Sequence, residues 1–306
     1  MDALDTHLHL WHAGNLPPWL SDPSLSRIAV TRGVDEYCAA GGDASGAVHG
    51  DLAVRRAIYM EVDVAPEDRE AEAAEVAALV ADPANLLVGA VIGAPIVDGT
   101  VAEFEAYARR WAAAPGIVGV RQVLHVHPKG TCLRDAVVAK AKLCGELGLV
   151  FELCMKCDEL DDAAALAAAA PDTRFVLDHC GGHHQLVAGA PEALTSAWRA
   201  GIAACSAQRN VWCKVSGLLG AQGGADGLDG AAAWSPERQA VTCEHVLATF
   251  AADRVLFGSD WPVCTLTAPV SSWAACVATL ARARSRDDAE RLLFRNAEVV
   301  YRLAAN

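Results

Sequence analysis

Apolar and polar positions along this chain follow two periods in turn, one of about two residues and one of about 3.6. Residues 4–10 alternate, which places Asp5, His7 and His9 on one face of a strand and Thr6, Leu8 and Leu10 on the other. The same short period returns at 56–62, 86–92, 117–124, 149–154, 174–179, 211–216 and 254–259, giving eight predicted strands in all. Helical spacing fills the intervals: 34–40, 66–81 with Val76, Leu79 and Val80 on one stripe, 101–113 stopped near Pro115-Gly116, 133–147 ended by Gly148, then 161–170, 193–207 and 236–250. A last helix over 288–303 is expected to close the molecule. Strands separated by helices of this length pair in parallel through right-handed crossovers. The pattern therefore predicts an α/β fold, a single (β/α)8 TIM barrel with residues 1–306 as one domain. An open doubly wound sheet is the alternative, but its Gly-rich phosphate turn would follow the first strand, where His7-Leu8-His9 stands.

Two connections are too long for simple turns. Residues 11–19, with Pro17-Pro18, suit a loop over a pocket, and 217–235, rich in Gly, Ala and Asp, suits a segment above the site.

Composition narrows the class. The chain is 53% hydrophobic, which supplies a large core, yet no apolar run reaches the roughly eighteen residues of a membrane span. The formal net charge of -13 leaves no basic surplus for nucleic acid, so neither nucleic acid nor membrane is an expected partner. Eleven scattered cysteines fit reduced, buried thiols rather than a disulfide framework, and the start lacks a secretory pattern. A cytoplasmic location is the expectation, with self-association into a homo-oligomer left open.

Barrel enzymes gather their chemistry at the carboxyl ends of the strands. His7 and His9 close the first predicted strand, Arg121 sits late in the fourth, His179 ends the sixth and Asp260 follows the eighth. His179 is expected to share the inner face with Phe175 and Leu177, and Asp260 with Leu256 and Gly258, the glycine leaving room near the axis. Three imidazoles and a carboxylate can hold a divalent metal such as zinc and keep one position open. They can also work without metal, with Asp260 taking a proton from water while the histidines and Arg121 stabilise an oxyanion. Substrate-binding candidates are Glu61, Glu152, Lys156 and His125 near strand ends, with Trp11, Trp19 and Trp261 as walls for an apolar ring face. Cys154 and Cys157 have redox spacing but follow the fifth strand, and read as incidental. His183 and His184 read as solvated loop residues.

Together these motifs resemble a known family. Residues Asp5-Thr6-His7-Leu8-His9-Leu10-Trp11, Val120-Arg121-Gln122, Leu177-Asp178-His179, Cys213-Lys214-Val215-Ser216-Gly217 and Gly258-Ser259-Asp260-Trp261-Pro262 are similar to the lactonase branch of the amidohydrolase superfamily. That branch holds sugar lactonases, such as L-fucono-1,5-lactonase and L-rhamnono-lactonase, and pyrone dicarboxylate lactonase. The resemblance implies hydrolysis of a small lactone, most readily a sugar aldonolactone, with Asp260 as general base and His7, His9 and His179 at the carbonyl. A pyrone dicarboxylate-type lactonase and a metal-dependent decarboxylase of the same superfamily are the alternatives. Arg121 stands where two-metal members carry a bridging acid, and residues 151–156 lack the histidine of tight mononuclear sites. The implied cofactor is thus at most one divalent ion, zinc, and a dispensable one.

Overall fold

The computed structural model describes residues 1–41, 47–182, 191–219 and 235–303. Eight parallel strands follow one another round a barrel: β1 (Asp2–Leu8), β3 (Leu52–Met60), β4 (Leu87–Gly93), β5 (Ile117–Arg121), β6 (Val150–Leu153), β7 (Arg174–Leu177), β8 (Val211–Val215) and β9 (Val255–Phe257). One short extra strand, β2 (Ala47–His49), pairs antiparallel with β3. Each barrel strand is followed by a helix: α1 (Val34–Ala40), α2 (Arg69–Ala81), α3 (Val101–Ala112), α4 (Asp135–Leu147), α5 (Leu160–Ala169), α6 (Glu192–Ala207), α7 (Pro236–Thr249) and α8 (Val270–Arg282). The fold is a (β/α)8 TIM barrel. Local chemistry sets the helix ends: Thr100 and Glu103 form a capping box at the start of α3, and Gly148 ends α4 in a left-handed conformation, φ 74°.

The pattern of apolar positions missed α8. Trp273, Val277 and Leu280 recur at helical spacing and are buried, and the Trp273 indole donates to Gly258 O at 2.8 Å. The helix is two-sided all the same, but its outer side carries Ser271, Ser272 and Thr279, with Arg282 its one charge, in place of the Asp, Glu and Lys that mark the other helices.

An axial cluster lies inside the barrel, with Leu4, Ile58, Met60, Val91, Val150, Val176 and Leu256 from the strands. The closing segment plugs its lower end. This segment runs through Arg286–Glu290, a π-turn at Arg291–Arg295 and Asn296–Tyr301, and puts Ala297, Val300 and Tyr301 into the axial cluster. Arg56 on β3 binds Glu298 at 2.8 Å from inside.

Two strand phases differ from expectation. Leu4 faces the axis while Ala3 and Leu8 face the helices, and the pairing of β1 with β3 shifts register between Asp5 and Leu8. That irregularity turns Asp5 away from His7 and His9, and its carboxylate accepts from the Tyr37 hydroxyl of α1 at 2.7 Å. On β7, Val176 faces the axis and Phe175 and Leu177 pack outward, so strand alternation alone would send His179 outward too. Left-handed backbone at His179 (φ 54°) brings its ring to the site instead. Leu256 faces the axis as expected, and a Cβ on Gly258 would lie 2.8 Å from that of His7. Most of the 217–235 loop, as well as His183 and His184, falls outside the described residues.

Asn296 Nδ2 donates to Ala252 O and Val255 O, both at 2.8 Å, and so ties the closing segment to the loop before β9. Asn296→Ala leaves two carbonyls without a donor. We expect a loss of about 1–3 kcal/mol in stability, seen as a lower urea midpoint at unchanged slope.

Candidate active site

The barrel closes through backbone bonds between functional residues. Asp260 N donates to His7 O at 2.9 Å and His9 N donates to Trp261 O at 2.9 Å, so the ends of β1 and β9 are zipped where the histidines and the acid sit. Asp5 Oδ1 reinforces the seam by accepting from His7 N at 3.0 Å and Ser259 N at 2.8 Å. Asp260 itself takes a left-handed conformation, φ 59°, one that aspartate tolerates better than most residues.

The ring partners assign the tautomers. His9 Nδ1 lies 3.0 Å from Met60 O, so it must carry a proton, and Nε2 faces Asp260 Oδ1 at 3.4 Å. His7 Nδ1 lies between Asp178 Oδ1 at 3.3 Å and Lys214 Nζ at 3.4 Å, and its Nε2 is 3.8 Å from Asp260 Oδ1 and 3.4 Å from Arg121 Nη1, a nitrogen that can only donate. His179 Nδ1 meets Ser216 Oγ at 3.0 Å. Gly217 makes room for that ring, since a Cβ there would lie 2.1 Å from His179 Nδ1. The His7 ring stands 4.9 Å from His9 and 4.5 Å from His179, centroid to centroid.

Beneath the histidines runs a ladder of buried charges. Arg121 donates through Nε to Glu61 Oε1 at 2.6 Å, through Nη2 to Glu61 O at 2.9 Å and through Nη1 to Asp178 Oδ2 at 3.1 Å. Lys214 Nζ binds Glu152 Oε2 at 2.9 Å and approaches Asp178 Oδ1 at 3.4 Å, and the Tyr301 hydroxyl of the closing segment donates to Glu152 Oε1. Burial alone would raise Asp178, but Lys214, His7 and Arg121 together hold it well below the usual carboxylate range. Burial pushes Glu152 upward against the opposing pull of Lys214. It also lowers His7 and His179, keeping both rings neutral.

A cavity of about 350 Å³ opens above this floor, and His9, Arg121, His179, Asp260 and His125 reach it. Three of the expected substrate-wall residues hold other positions for clear reasons. Trp11 donates its indole N–H to Ile28 O and Val30 O, both at 3.0 Å, and packs on Trp19 instead of the cavity. Trp261 is core, 1% exposed against Tyr37. Lys156 turns outward to Glu159 at 3.5 Å. Two more, Glu61 and Glu152, are buried below the cavity in the charge ladder. Of the three expected tryptophans Trp19 alone lines the wall, together with Asp63 and Cys154. Asp178 is the buried support that strand-end reasoning passed over, although it stands in a motif quoted above, and Lys214 faces it from β8. A larger cavity of about 460 Å³ beside Trp11, His12 and Glu75 receives none of the converging histidines.

The donor set fits a divalent cation. His7, His179 and Asp260 each offer a ligand atom, all within 4.8 Å of one another, and His9 Nε2 adds a fourth. A carboxylate oxygen with two imidazole nitrogens aimed at it needs a proton or a metal cation between them. Formal charge agrees: Glu61, Asp178 and Asp260 face Arg121 and Lys214, so a negative charge is left over even with Glu152 protonated, the form its upward shift favours. Neutral histidines and a carboxylate oxygen are ordinary zinc ligands.

A family model described as amidohydrolase (Amidohydro_2) matches residues 4–303. The chain belongs to the amidohydrolase family. L-Fucono-1,5-lactonase from Burkholderia multivorans is 34% identical to this amidohydrolase over 137 residues, 44% of this chain and 43% of that protein. Among solved structures, an amidohydrolase from Burkholderia multivorans with bound zinc superposes with a TM-score of 0.80 at 22% identity, covering 99% of this chain and 100% of that one. A dihydroxybenzoic acid decarboxylase from Polaromonas, with bound manganese, gives 0.63 at 13% identity over 100% and 97% of the two chains. At those identities the two structures speak for the fold alone.

Burial, helped by the charge of Arg121, lowers His125 to about 4. In the unfolded chain it titrates near the usual 6.5, so between pH 7 and 5 the unfolded state binds the extra proton and stability falls with pH. Relative to His125→Gln, the native protein should lose about 1–2 kcal/mol over that interval in paired urea titrations. Parallel pH profiles for the two proteins would show that the ring titrates normally when folded.

Proposed function

We propose that this amidohydrolase is a lactonase that adds water to the ring carbonyl of a neutral sugar lactone and opens it to the hydroxy acid. The observation that carries this reading is the meeting of Asp260 with His9 and His179 at a cavity whose other walls are largely uncharged, with His7 buried just behind them. Asp260 accepts a proton from water as the oxygen bonds to the carbonyl carbon, then returns it to the ring oxygen as the carbon–oxygen bond breaks. Asp178 orients His7 through Nδ1, Met60 O orients His9, and Arg121 places positive charge beside the developing oxyanion. His7, His9, His179 and Asp260 would hold one divalent ion, which supplies Lewis-acid polarisation and a more acidic water. A required ion is preferred to a dispensable one because three imidazoles and a carboxylate meet there with negative charge in surplus. Zinc is the first choice for that nitrogen-rich set.

Substrate charge follows from what Arg121 has left to give. All three of its nitrogens are committed to Glu61 and Asp178, and no other arginine or lysine lines the cavity among the described residues. A pyrone dicarboxylate would bring two charges with no clamp to receive them, and unpaired buried charge is costly. Aldono-1,5- or 1,4-lactones fit better, with L-fucono-, L-galactono- and L-rhamnono-lactones as the first to try.

Acid release measured with a pH indicator across sugar lactones, a pyrone dicarboxylate and a dihydroxybenzoate tests the reading. A tenfold preference for the dicarboxylate in kcat/KM, or carbon dioxide release without lactone opening, would sink it. Asp260→Asn keeps shape and removes the proton acceptor, and turnover should fall by about two to four orders of magnitude with far-UV circular dichroism unchanged. Chelator-treated protein should lose lactone turnover and regain it with about one equivalent of zinc or manganese, and retention of full activity would restore the metal-free scheme.

A further inference from the structure

The cavity wall opposite the acid holds groups that the hydrolytic step does not use. Asp63 follows β3 in a left-handed conformation, φ 52°, with its N–H bound to Glu61 Oε2 at 2.7 Å. That bond fixes the backbone, while the Asp63 carboxylate has neither a hydrogen bond nor an ion pair among the described residues and lines the cavity. Trp19 stands on the same wall. Its indole N–H donates to Val62 O at 2.7 Å, which commits the polar edge of the ring and fastens it to the residue before Asp63. His125 adds a third group, its Nδ1 paired with Cys154 Sγ at 3.3 Å and its backbone N–H with Cys154 O at 3.0 Å.

These groups differ in kind and complement one another. A carboxylate without a partner accepts hydrogen bonds from two neighbouring hydroxyls, an imidazole gives or takes one, and an indole face covers the C–H side of a saturated ring. Val62, Val123 and Val263 complete the lining and would offer nothing to a second charge. We propose that Asp63, Trp19 and His125 form a hydroxyl-reading subsite, which selects a polyhydroxylated ring over a bare one while Asp260 and the histidines act on its carbonyl. The proposal rests on the lactonase reading for the identity of the ring, but its test does not require turnover.

Calorimetric affinities for two unreactive amide analogues, a polyhydroxylated sugar δ-lactam and plain δ-valerolactam, give a discrimination ratio. Native protein should favour the hydroxylated ring by tenfold or more. Asp63→Gly relieves the backbone and removes the carboxylate, and should lower that ratio by about tenfold to a hundredfold, with Asp63→Asn in between. Equal weakening toward both lactams, an unchanged ratio, or no preference in the native protein would each overturn the subsite. Failure to open any lactone, with discrimination intact and sensitive to Asp63, would remove the proposed reaction and leave the subsite standing.

Discussion

The hydrogen bonds that join the end of β1 to the end of β9 are the constraint on which the rest depends. A barrel has to close somewhere, and here it closes through His7 O, Asp260 N, His9 N and Trp261 O. The distance between the histidine strand and the acid is thereby set by main-chain geometry rather than by side-chain packing. Asp5 takes the inner turn of the same seam, holding both strands from the helix side with Tyr37 behind it. Gly258 is small for the same reason, because the seam brings His7 into the volume a side chain would need. Folding and site assembly are one event at this edge, and a change that loosens the closure also misplaces the carboxylate.

Below the seam, charge takes over from main chain. Asp178 stands between Lys214, Arg121 and His7, and every charge in that group is buried. Buried ion pairs contribute little net stability, yet breaking one leaves a charge stranded at a cost of about 3–5 kcal/mol. The ladder therefore acts on orientation more than on stability. It also runs the length of the barrel: Tyr301 on the closing segment binds Glu152, Glu152 binds Lys214, and Lys214 reaches the carboxylate that sets the His7 tautomer. The lower plug and the upper site share one hydrogen-bonded column.

The barrel was legible because its eight strands keep their period and its helices their length, and all four positions that carry the site chemistry stood at strand ends. What escaped was phase. Alternation assumes an unbroken pleat, and the irregularity in β1 between Asp5 and Leu8 reverses it within a few residues. His179 reached the site against the phase of β7, through a left-handed turn that no side-chain pattern reports. Glu152, near a strand end, reads as a substrate ligand, since sequence alone does not reveal that Lys214 and Tyr301 have already taken both its oxygens. Trp261 looked like a wall because it follows Asp260, whereas the left-handed acid turns the next residue back into the core.

On the proposed lactonase reading, this division between committed and uncommitted groups lets one small cavity both react and choose. Groups with fixed partners, such as Arg121 and Asp178, cannot rearrange toward a ligand without leaving a buried charge unmatched, so they present the same field to every substrate. Discrimination then falls to groups whose hydrogen-bonding capacity is still open, and on the cavity wall these lie on the loops after β3 and β5 rather than on the strands. Loops vary more freely than the strands that carry the seam and the ladder. Specificity in this chain can therefore drift without touching the bonds that close the barrel, whereas the histidines and Asp260 cannot.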